Sequence, residues 1–385
     1  MKKNISLYLH IPFCVRKCRY CDFLSFSDCS YMRQKEYVTA LQKEIRTWKE
    51  TAENYQVRSI FLGGGTPSVL LDSFVGEIFQ TLYEVWDISA DAEITIEANP
   101  GTITRQKLIE YRTCGVNRLS MGLQSAINQE LQCLGRIHTY EQFLANYRMA
   151  REEGFRNINV DLMSALPGQN LHSYGQTLAR IVKLEPEHIS AYSLIIEPGT
   201  PFAEDTEILK QLPSEEAERR MYHYTNVILR SLGYERYEIS NYSKPGYACY
   251  HNQVYWTGGE YLGFGLGASS YWNETRFHNT ENPEKYIQKI KEKQIEAIRE
   301  DIVPDTRRSR MEEFMFLGLR LMRGVSATDF EERFGITMQE QYGTVIDNYV
   351  EQGYLTWNQE RLRLTERGID VSNRIMADFL IEEDI

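Results

Sequence analysis

The strongest constraint on the fold is a regular alternation of short apolar runs with longer amphipathic stretches. The short runs, each of a length suited to one strand, are 5–9, 57–62, 93–98, 118–122, 158–162 and 188–195. The longer stretches are charged, have helical periodicity and include 33–54, 72–86, 139–154 and 172–184. Because strands that alternate with helices pair in parallel through βαβ connections, the pattern predicts an α/β fold of six βα units.

Cysteine-rich, glycine-rich or polar residues follow five of these predicted strands. They are a cysteine cluster after the first strand, Gly63-Gly-Gly-Thr-Pro67 after the second, and Glu97-Ala-Asn-Pro100, Gln124-Ser125 and Asp161 at the ends of the next three. Ligands of parallel α/β proteins bind at the carboxyl ends of the strands. The sequence therefore predicts one site assembled from five successive loops.

The cysteine cluster has the spacing C-x3-C-x2-C, formed by Cys14, Cys18 and Cys21. The chain contains seven cysteines and no recognisable secretion signal, so the cluster indicates metal binding rather than disulfides. Three thiolates suit a [4Fe–4S] cluster that keeps one iron open for another ligand. A structural zinc site needs four protein ligands, and zinc stays an alternative because Cys29 or His10 would supply the fourth.

Charge and hydropathy exclude several classes of partner. The formal net charge of −11 argues against nucleic acid, whose binding depends on neutralising phosphates. No segment approaches the roughly 20 apolar residues that a membrane span requires. We therefore predict a cytoplasmic protein without a membrane span. Peripheral contact with a membrane and a homodimer are left open.

Three units are predicted along the chain: a barrel over 1–233, a Tyr- and Gly-rich extension with a charged linker helix over 234–304, and a C-terminal domain over 305–385. In the last unit, predicted helices at 310–323, 327–334 and 338–352 precede strands at 354–357 and 361–364 and a helix at 369–380. This order is typical of a mainly helical, winged-helix-like domain. It carries ten Arg and no Lys against sixteen Asp and Glu, a balance of −6 that argues against DNA binding.

The cysteine motif, with Tyr20 before its third cysteine, resembles that of the radical S-adenosylmethionine (SAM) superfamily. Further stretches resemble the oxygen-independent coproporphyrinogen III oxidase-like family, namely Tyr8-Leu-His-Ile-Pro-Phe-Cys14, the glycine-rich loop, Thr95-Ile-Glu-Ala-Asn-Pro100, Met121-Gly-Leu-Gln-Ser125, Leu134-Gly-Arg136 and Asn159-Val-Asp-Leu162. The resemblance implies a partial (β/α)6 TIM-like barrel and a [4Fe–4S] cluster on Cys14, Cys18 and Cys21. It also implies that SAM binds the open iron and is cleaved to a radical by an electron from the cluster.

The resemblance also implies a set of residues that contact SAM. They are Tyr8, Tyr20, Gly64, Gly65, Thr66, Glu97, Gln124, Arg136 and Asp161. Glycines allow close approach of the backbone, carboxylates accept hydrogen bonds from ammonium or hydroxyl groups, and Arg pairs with a carboxylate. Taken singly, the glycines would also suit a tight turn and the carboxylates a helix cap or ion pair. Arg136 lies beyond a strand end, where a solvent-facing position is the alternative.

Two functions share this family, and three features separate them. The oxidases have a further cysteine where this chain has Phe23, and they carry an N-terminal extension, whereas seven residues precede Tyr8 here. The haem chaperones carry an H-N-x-x-Y-W motif, which is present as His251-Asn-Gln-Val-Tyr-Trp256. The resemblance therefore favours a haem chaperone that delivers haem to apo-haemoproteins such as respiratory enzymes. The alternative is an oxygen-independent coproporphyrinogen III oxidase, a radical enzyme whose activity we do not expect here.

The motif implies a haem site formed by His251, Asn252, Tyr255 and Trp256. Imidazole is a common axial ligand of haem iron, and a macrocycle can stack on aromatic faces. Two alternatives stay open: His251 is a hydrogen-bonded residue that organises the aromatic region, or Cys249 is the iron ligand.

Overall fold

Six parallel strands form the centre of the fold, as the sequence predicts. The computed structural model describes residues 2–71 and 73–381, so residue 72 of the predicted helix 72–86 and residues 382–385 of the predicted C-terminal domain lie outside the described residues. The strands are β1 (Lys3–Ile11), β2 (Tyr55–Gly64), β3 (Asp87–Ala98), β4 (Arg118–Gln124), β5 (Ile158–Ser164) and β6 (His188–Ser193). Each pairs in parallel with the next, which confirms the α/β fold.

The longer helices of this region cover the outer face of these strands, and short helices lie in the connecting loops. They are α1 (Tyr31–Thr47), α2 (Lys49–Ala52), α3 (Phe74–Val85), α4 (Arg105–Thr113), α5 (Asn128–Cys133), α6 (Tyr140–Glu152), α7 (Leu171–Val182), α8 (Pro201–Glu204), α9 (Thr206–Leu209) and α10 (Glu215–Ser231). Capping boxes begin two of them, since Thr139 and Asn170 accept hydrogen bonds from the first-turn backbone of α6 and α7.

The two faces of the strands differ in polarity because alternate side chains point to opposite sides. On β4, Leu119, Met121 and Leu123 are fully buried against the helices. Arg118 and Ser120, which alternate with them, line the open interior. The strands thus form a partial (β/α)6 barrel with an apolar outer layer and a polar inside.

The extension lengthens this sheet at both edges. It consists of β7 (Glu235–Arg236), β8 (Asn241–Ser243), α11 (Tyr250–Trp256), β9 (Tyr261–Phe264), β10 (Ser269–Trp272), β11 (Thr275–Asn279), α12 (Pro283–Lys291) and β12 (Arg299–Pro304). Strand β8 pairs with β6, and β9 pairs in parallel with β1, giving a sheet of 12 strands. The α-helix of the charged stretch 283–300 ends at residue 291, where Lys293 has a positive φ of 59°. A 3-10 helix follows at Ile295–Ile298, and β12 then pairs with β11.

A buried carboxyl attaches the extension to the barrel. Glu44 of α1 accepts hydrogen bonds from Gly265 N (2.8 Å), Asn279 Nδ2 (2.7 Å) and Tyr286 Oη (2.6 Å). Leu262, Phe264 and the side chains of α12 join the same apolar core as the barrel. The extension and the barrel therefore pack around one continuous core.

The C-terminal region has its own apolar core and a three-stranded sheet in the order β13-β15-β14. Its elements are α13 (Arg307–Gly318), β13 (Val325–Ser326), α14 (Ala327–Phe334), α15 (Met338–Glu351), β14 (Leu355–Trp357), β15 (Arg361–Leu364), α16 (Glu366–Ile369) and α17 (Ser372–Ala377). The order is that of the predicted winged-helix-like domain, although two short helices replace the single last one. The boundaries of the three predicted units stay predictions. Across the described part of the chain, no helix combines the length and hydropathy that crossing a membrane requires.

Candidate functional site

A cleft of about 460 Å³ lies at the carboxyl ends of the central strands. The loops after β1 and β2, the ends of β3, β4 and β5, and the segment after α5 all contribute to it. The predicted site residues that line it are Cys14, Cys18, Tyr20, Cys21, Gly64, Gly65, Thr66, Glu97, Gln124, Arg136, Asp161 and Asn252. The structure therefore brings together residues that are more than 200 positions apart in the sequence.

The cysteine loop is held against the rest of the cleft by backbone hydrogen bonds. Cys14 N donates to Phe26 O (2.9 Å), and Arg19 N donates to Leu134 O (3.0 Å). At the thiols, Cys14 Sγ lies 3.4 Å from Thr66 Oγ1. The loop thus presents its three thiols to the cleft from a fixed backbone.

Neither candidate for a fourth zinc ligand lines the cleft. The Cys29 thiol donates to Cys14 O (3.4 Å), and the ring nitrogens of His10 contact Tyr8 Oη (3.0 Å) and Leu24 O (2.9 Å). Among the described residues, no three His, Cys, Asp or Glu side chains form a group that would hold a metal ion. A [4Fe–4S] cluster takes its thiolates on separate irons, so the three thiols around an open cleft fit that group better than a single zinc ion.

The glycine loop after β2 packs directly against the cysteine loop. A Cβ on Gly65 would lie 2.8 Å from Phe13 O and 3.1 Å from Cys14 Sγ. Gly64 has a φ of +107°, and a Cβ there would meet the His10 ring at 2.6 Å. Both positions therefore require glycine, and the reason is close packing beside the thiols as well as the turn itself.

Two buried carboxyl groups, those of Glu97 and Asp161, line the cleft. Burial, together with the nearby charge of Asp161, raises the pKa of Glu97 to about 8. Burial likewise raises the pKa of Asp161, although Asn159 Nδ2 donates to its Oδ1 at 2.8 Å. Glu97 also accepts from Gly64 N (3.2 Å). Both carboxyls lie on strands rather than at helix caps, and a cationic ligand near them would favour their ionised forms.

Arg136 turns toward the cleft rather than toward solvent. Its Nη2 donates to Asn99 Oδ1 and Gly122 O, both at 2.5 Å, and its Nη1 lies 3.5 Å from Cys18 Sγ. Its buried Nε has no hydrogen-bond partner within the described chain. A guanidinium beside the thiols with a donor to spare suits the carboxylate of an amino-acid ligand.

Gln124 is held in an unusual backbone conformation at the end of β4. Its φ is 74°, a left-handed value that is uncommon outside glycine, and Tyr192 Oη donates to its side-chain oxygen at 3.0 Å. Such conformations persist where the surrounding structure enforces them, and they concentrate at functional sites.

Arg118 is the main cleft residue that sequence reasoning missed. Its side chain is 1% exposed, and among the described residues no group accepts a hydrogen bond from its guanidinium. It lies on the polar face of β4, two residues before Ser120 and four before Gly122, which also line the cleft. The period of two along this strand was the signal that would have revealed it.

The H-N-x-x-Y-W motif lies in helix α11 below the cleft, and only Asn252 lines the cleft itself. His251 is 1% exposed, with Nδ1 2.9 Å from Ser59 Oγ and Nε2 2.9 Å from Tyr255 Oη. Burial, with the nearby positive charge of Arg118, lowers the pKa of His251 to about 3. Its imidazole is therefore neutral, and both ring nitrogens have partners inside the protein.

Trp256 of the motif and the neighbouring Cys249 are also engaged in packing. The Arg320 guanidinium lies 4.3 Å from the centre of the Trp256 ring, and Cys249 is fully buried, with its thiol 3.2 Å from Glu93 Oε1. Glu93, which sequence reasoning also missed, accepts hydrogen bonds from the backbone N–H groups of residues 250 and 251, both at 3.0 Å. In this arrangement neither His251 nor Cys249 presents an open ligand atom to the cleft.

Tyr8 lies behind the cleft wall. Its ring stacks on Phe61, which does line the cleft, with ring centres 6.3 Å apart. Burial and the charge of Glu97 raise the pKa of Tyr8. Phe61 therefore lies between Tyr8 and the cleft, whereas the resemblance implies that Tyr8 contacts SAM.

Comparisons with known proteins agree with this geometry. A model of the radical SAM superfamily matches residues 8–181, and a model of the HemN C-terminal domain matches residues 305–371. Curated relatives named Heme chaperone HemW include those of Haemophilus influenzae and Escherichia coli, each 34% identical over 98% of both chains. The HemW protein of Bacillus subtilis is 36% identical over 98% of this chain and 99% of its own.

The fold is also that of a solved structure. Coproporphyrinogen III oxidase (HemN) from Escherichia coli, described as a radical SAM enzyme, superposes with a TM-score of 0.87. The match covers 98% of this chain and 90% of the oxidase, at 24% sequence identity. At that identity the likeness concerns the fold alone.

Proposed function

Because the chain belongs to the HemW family within the radical SAM superfamily, we propose that it is a cytoplasmic haem chaperone. In this proposal it binds a [4Fe–4S] cluster, SAM and haem, and it delivers haem to apo-haemoproteins. The observation that carries the proposal is the cleft in which three thiols, two glycines, two buried carboxyls and a guanidinium converge. The full-length similarity to relatives named haem chaperones is the reason that haem is proposed as the molecule carried.

The residues of the cleft have complementary roles in this proposal. Cys14, Cys18 and Cys21 would hold the cluster, which when bound supplies an electron to SAM. The backbone at Gly64 and Gly65 leaves room for the amino-acid part of SAM, and Arg136 would pair with its carboxylate. The other residues proposed to contact SAM are Tyr20, Thr66, Gln124 and, from behind the cleft wall, Tyr8.

The carboxyls of Glu97 and Asp161 suit the positive groups of the same ligand. Burial raises the pKa of both groups in the ligand-free protein, and for Glu97 the nearby charge of Asp161 adds to the effect. An ammonium or sulfonium placed near them would favour their ionised forms. Binding is therefore expected to release protons near neutral pH.

Oxidase activity is the second candidate function, and it shares the fold. The position that carries a fourth cysteine in the oxidases is Phe23 here, and that side chain is 60% exposed at the edge of the cleft. A phenyl ring has no thiol to contribute to radical chemistry. This difference favours a carrier over an oxidative decarboxylase.

Anaerobic turnover tests the choice. We would reconstitute the cluster and confirm it by iron and sulfide content and by absorbance at about 400 nm that bleaches with dithionite. SAM and coproporphyrinogen III are then added. The Escherichia coli oxidase serves as the positive control. We expect no decarboxylated porphyrin from this protein, and transfer of bound haem to an apo-haemoprotein whose activity then returns. Decarboxylated product, or failure to bind haem with an intact cluster, would overturn the proposal.

A further inference from the structure

A second cavity lies on the other side of the cysteine loop. Its volume is about 590 Å³, within the range of cofactor sites. Its apolar wall includes Phe13 and Phe26 from the cysteine loop and Leu266 and Ile287 from the extension. The two phenylalanines are joined by a β-bridge, and Phe26 N donates to Pro12 O at 2.8 Å, so this wall is ordered.

Three cations border this second cavity, although the chain as a whole has a formal charge of −11. They are Arg16, Lys17 and Arg33. Arg16 and Lys17 are exposed, and neither forms a salt bridge with any described residue. Arg33 pairs with Glu284 at 3.2 Å, and one acid, Asp28, also lines the cavity, with its carboxylate accepting from Ser30 N. An apolar cavity with two unpaired cations at its edge is complementary to a flat apolar molecule that carries carboxylates.

We infer that this second cavity is the haem-binding site, an inference that rests on the proposed function. The macrocycle lies against the apolar wall, and the two propionates pair with Arg16 and Lys17. The His251 imidazole takes no part, because both of its nitrogens are bonded inside the barrel. The Tyr37 hydroxyl is also engaged, since it donates to His10 O at 2.7 Å.

The inferred site explains how a carrier can release its cargo. Among the described residues that line the second cavity there is no His, Cys or Met, the common axial ligands of haem iron. Haem is then held by its faces and its propionates rather than by an iron bond. Arg16 and Lys17 line the cleft as well as the second cavity, so the segment between Cys14 and Cys18 forms a wall common to both.

Titrations of the full-length, cluster-loaded protein test the site. The probes are ferric protoporphyrin IX, metal-free protoporphyrin IX and the dimethyl ester of ferric protoporphyrin IX. We expect the first two to bind within about threefold of each other, because the iron is not the anchor. The dimethyl ester is expected to bind about tenfold more weakly, since charge-assisted pairing with the cations is lost.

Matched variants separate the second cavity from the motif. Charge reversal in R16E/K17E is expected to weaken haem binding about tenfold or more, whereas R219E/R220E makes the same change in net charge on exposed residues of α10 and leaves affinity unchanged. Because R16E/K17E also borders the cleft, its iron content is measured alongside. Ser27 lines the second cavity and not the cleft, so Ser27→Trp is expected to occupy part of the second cavity and to reduce haem binding with the cluster intact.

The outcomes distinguish this inference from the proposed function. If the wild type binds haem and neither R16E/K17E nor Ser27→Trp weakens that binding, the inferred site is wrong and the chaperone proposal stands. Loss of binding in His251→Ala with an unchanged melting temperature would also overturn it. A wild type that binds no haem at all would overturn both.

Discussion

Replacing His251 by Ala separates a structural role from haem ligation. The substitution removes a buried ring that contacts Ser59 Oγ and Tyr255 Oη, each at 2.9 Å, and lies 5.2 Å from the centre of the Phe61 ring. Each lost hydrogen bond destabilises a protein by about 1 kcal/mol, and a buried hydroxyl left without a partner adds about 1–2 kcal/mol. We therefore expect the free energy of unfolding to fall by about 3–4 kcal/mol.

This loss converts into a measurable change in melting temperature. The entropy of unfolding is about 2.1 cal/mol/K per residue, which for 385 residues is roughly 0.8 kcal/mol/K if the chain unfolds as one unit. The expected decrease in Tm is therefore about 4–5 °C. Tyr255→Phe, which removes one of the two hydrogen bonds and keeps the ring, is expected to lower Tm by about 1–2 °C under the same assumption.

The difference between wild type and His251→Ala should also depend on pH. The pKa of His251 is lowered to about 3 in the folded protein, whereas an unfolded histidine has a pKa of about 6.5. Below about pH 6.5 the unfolded wild type binds a proton that the folded protein excludes. The contribution of His251 to the free energy of unfolding therefore decreases as the pH is lowered. At pH 5.5 the difference in unfolding free energy is expected to be smaller than at pH 7.5 by about 1.4 kcal/mol.

Thermal and urea unfolding at the two pH values provide the test, with haem titrations on the same samples. A decrease in Tm under about 1 °C, or a stability difference that does not change with pH, would refute the argument. Loss of the haem absorption band in a variant of unchanged stability would show instead that His251 contacts haem.

Three further substitutions test the cleft. Cys18→Ala is expected to lose the iron and sulfide of the cluster while far-UV circular dichroism stays unchanged, because the cysteine lies on a loop. The control Cys114→Ala, at a residue outside the cleft, should keep its iron and sulfide. Normal iron content in Cys18→Ala would contradict the ligand assignment. Gly65→Ala should lower iron content by about half or more, because the added methyl collides with the backbone of the cysteine loop, whereas Gly175→Ala in α7 finds ordinary contacts and should not. Because the pKa of Glu97 is raised in the folded protein, the ligand-free wild type should lose stability as pH rises from about 4.5 to about 8. Glu97→Gln should therefore gain stability relative to the wild type over that range and then level off. Parallel Tm profiles of the two proteins against pH would contradict this.

The sequence predicted the parts of the site that depend on local pattern. The order of strands and helices followed from hydrophobic period, and the cysteine spacing and the glycines after β2 identified the loops that meet at the cleft. These features are readable because each depends on residues a few positions apart. The placement of Glu97, Gln124 and Asp161 at strand ends likewise implied that they would share one edge of the sheet.

Tertiary structure decided which polar residues meet within the barrel. Arg118 and Glu93 are 25 positions apart and looked like ordinary strand residues, yet both point to the polar interior, where the carboxylate receives the first turn of α11. The same contact turns His251 inward, away from the cleft. No local pattern encodes these pairings, because each depends on how distant strands and helices are packed.

The second cavity shows the same division between sequence and structure. The cysteine motif marked the loop, but the cavity exists only because the extension adds β9 beside β1 and brings Leu266 and Ile287 to within reach of that loop. Segments about 250 residues apart form its walls, and their apolar side chains read individually as core. The sequence by itself determined the elements and the chemistry of the loops; the long-range pairing of strands decided which faces enclose a space and which charges border it.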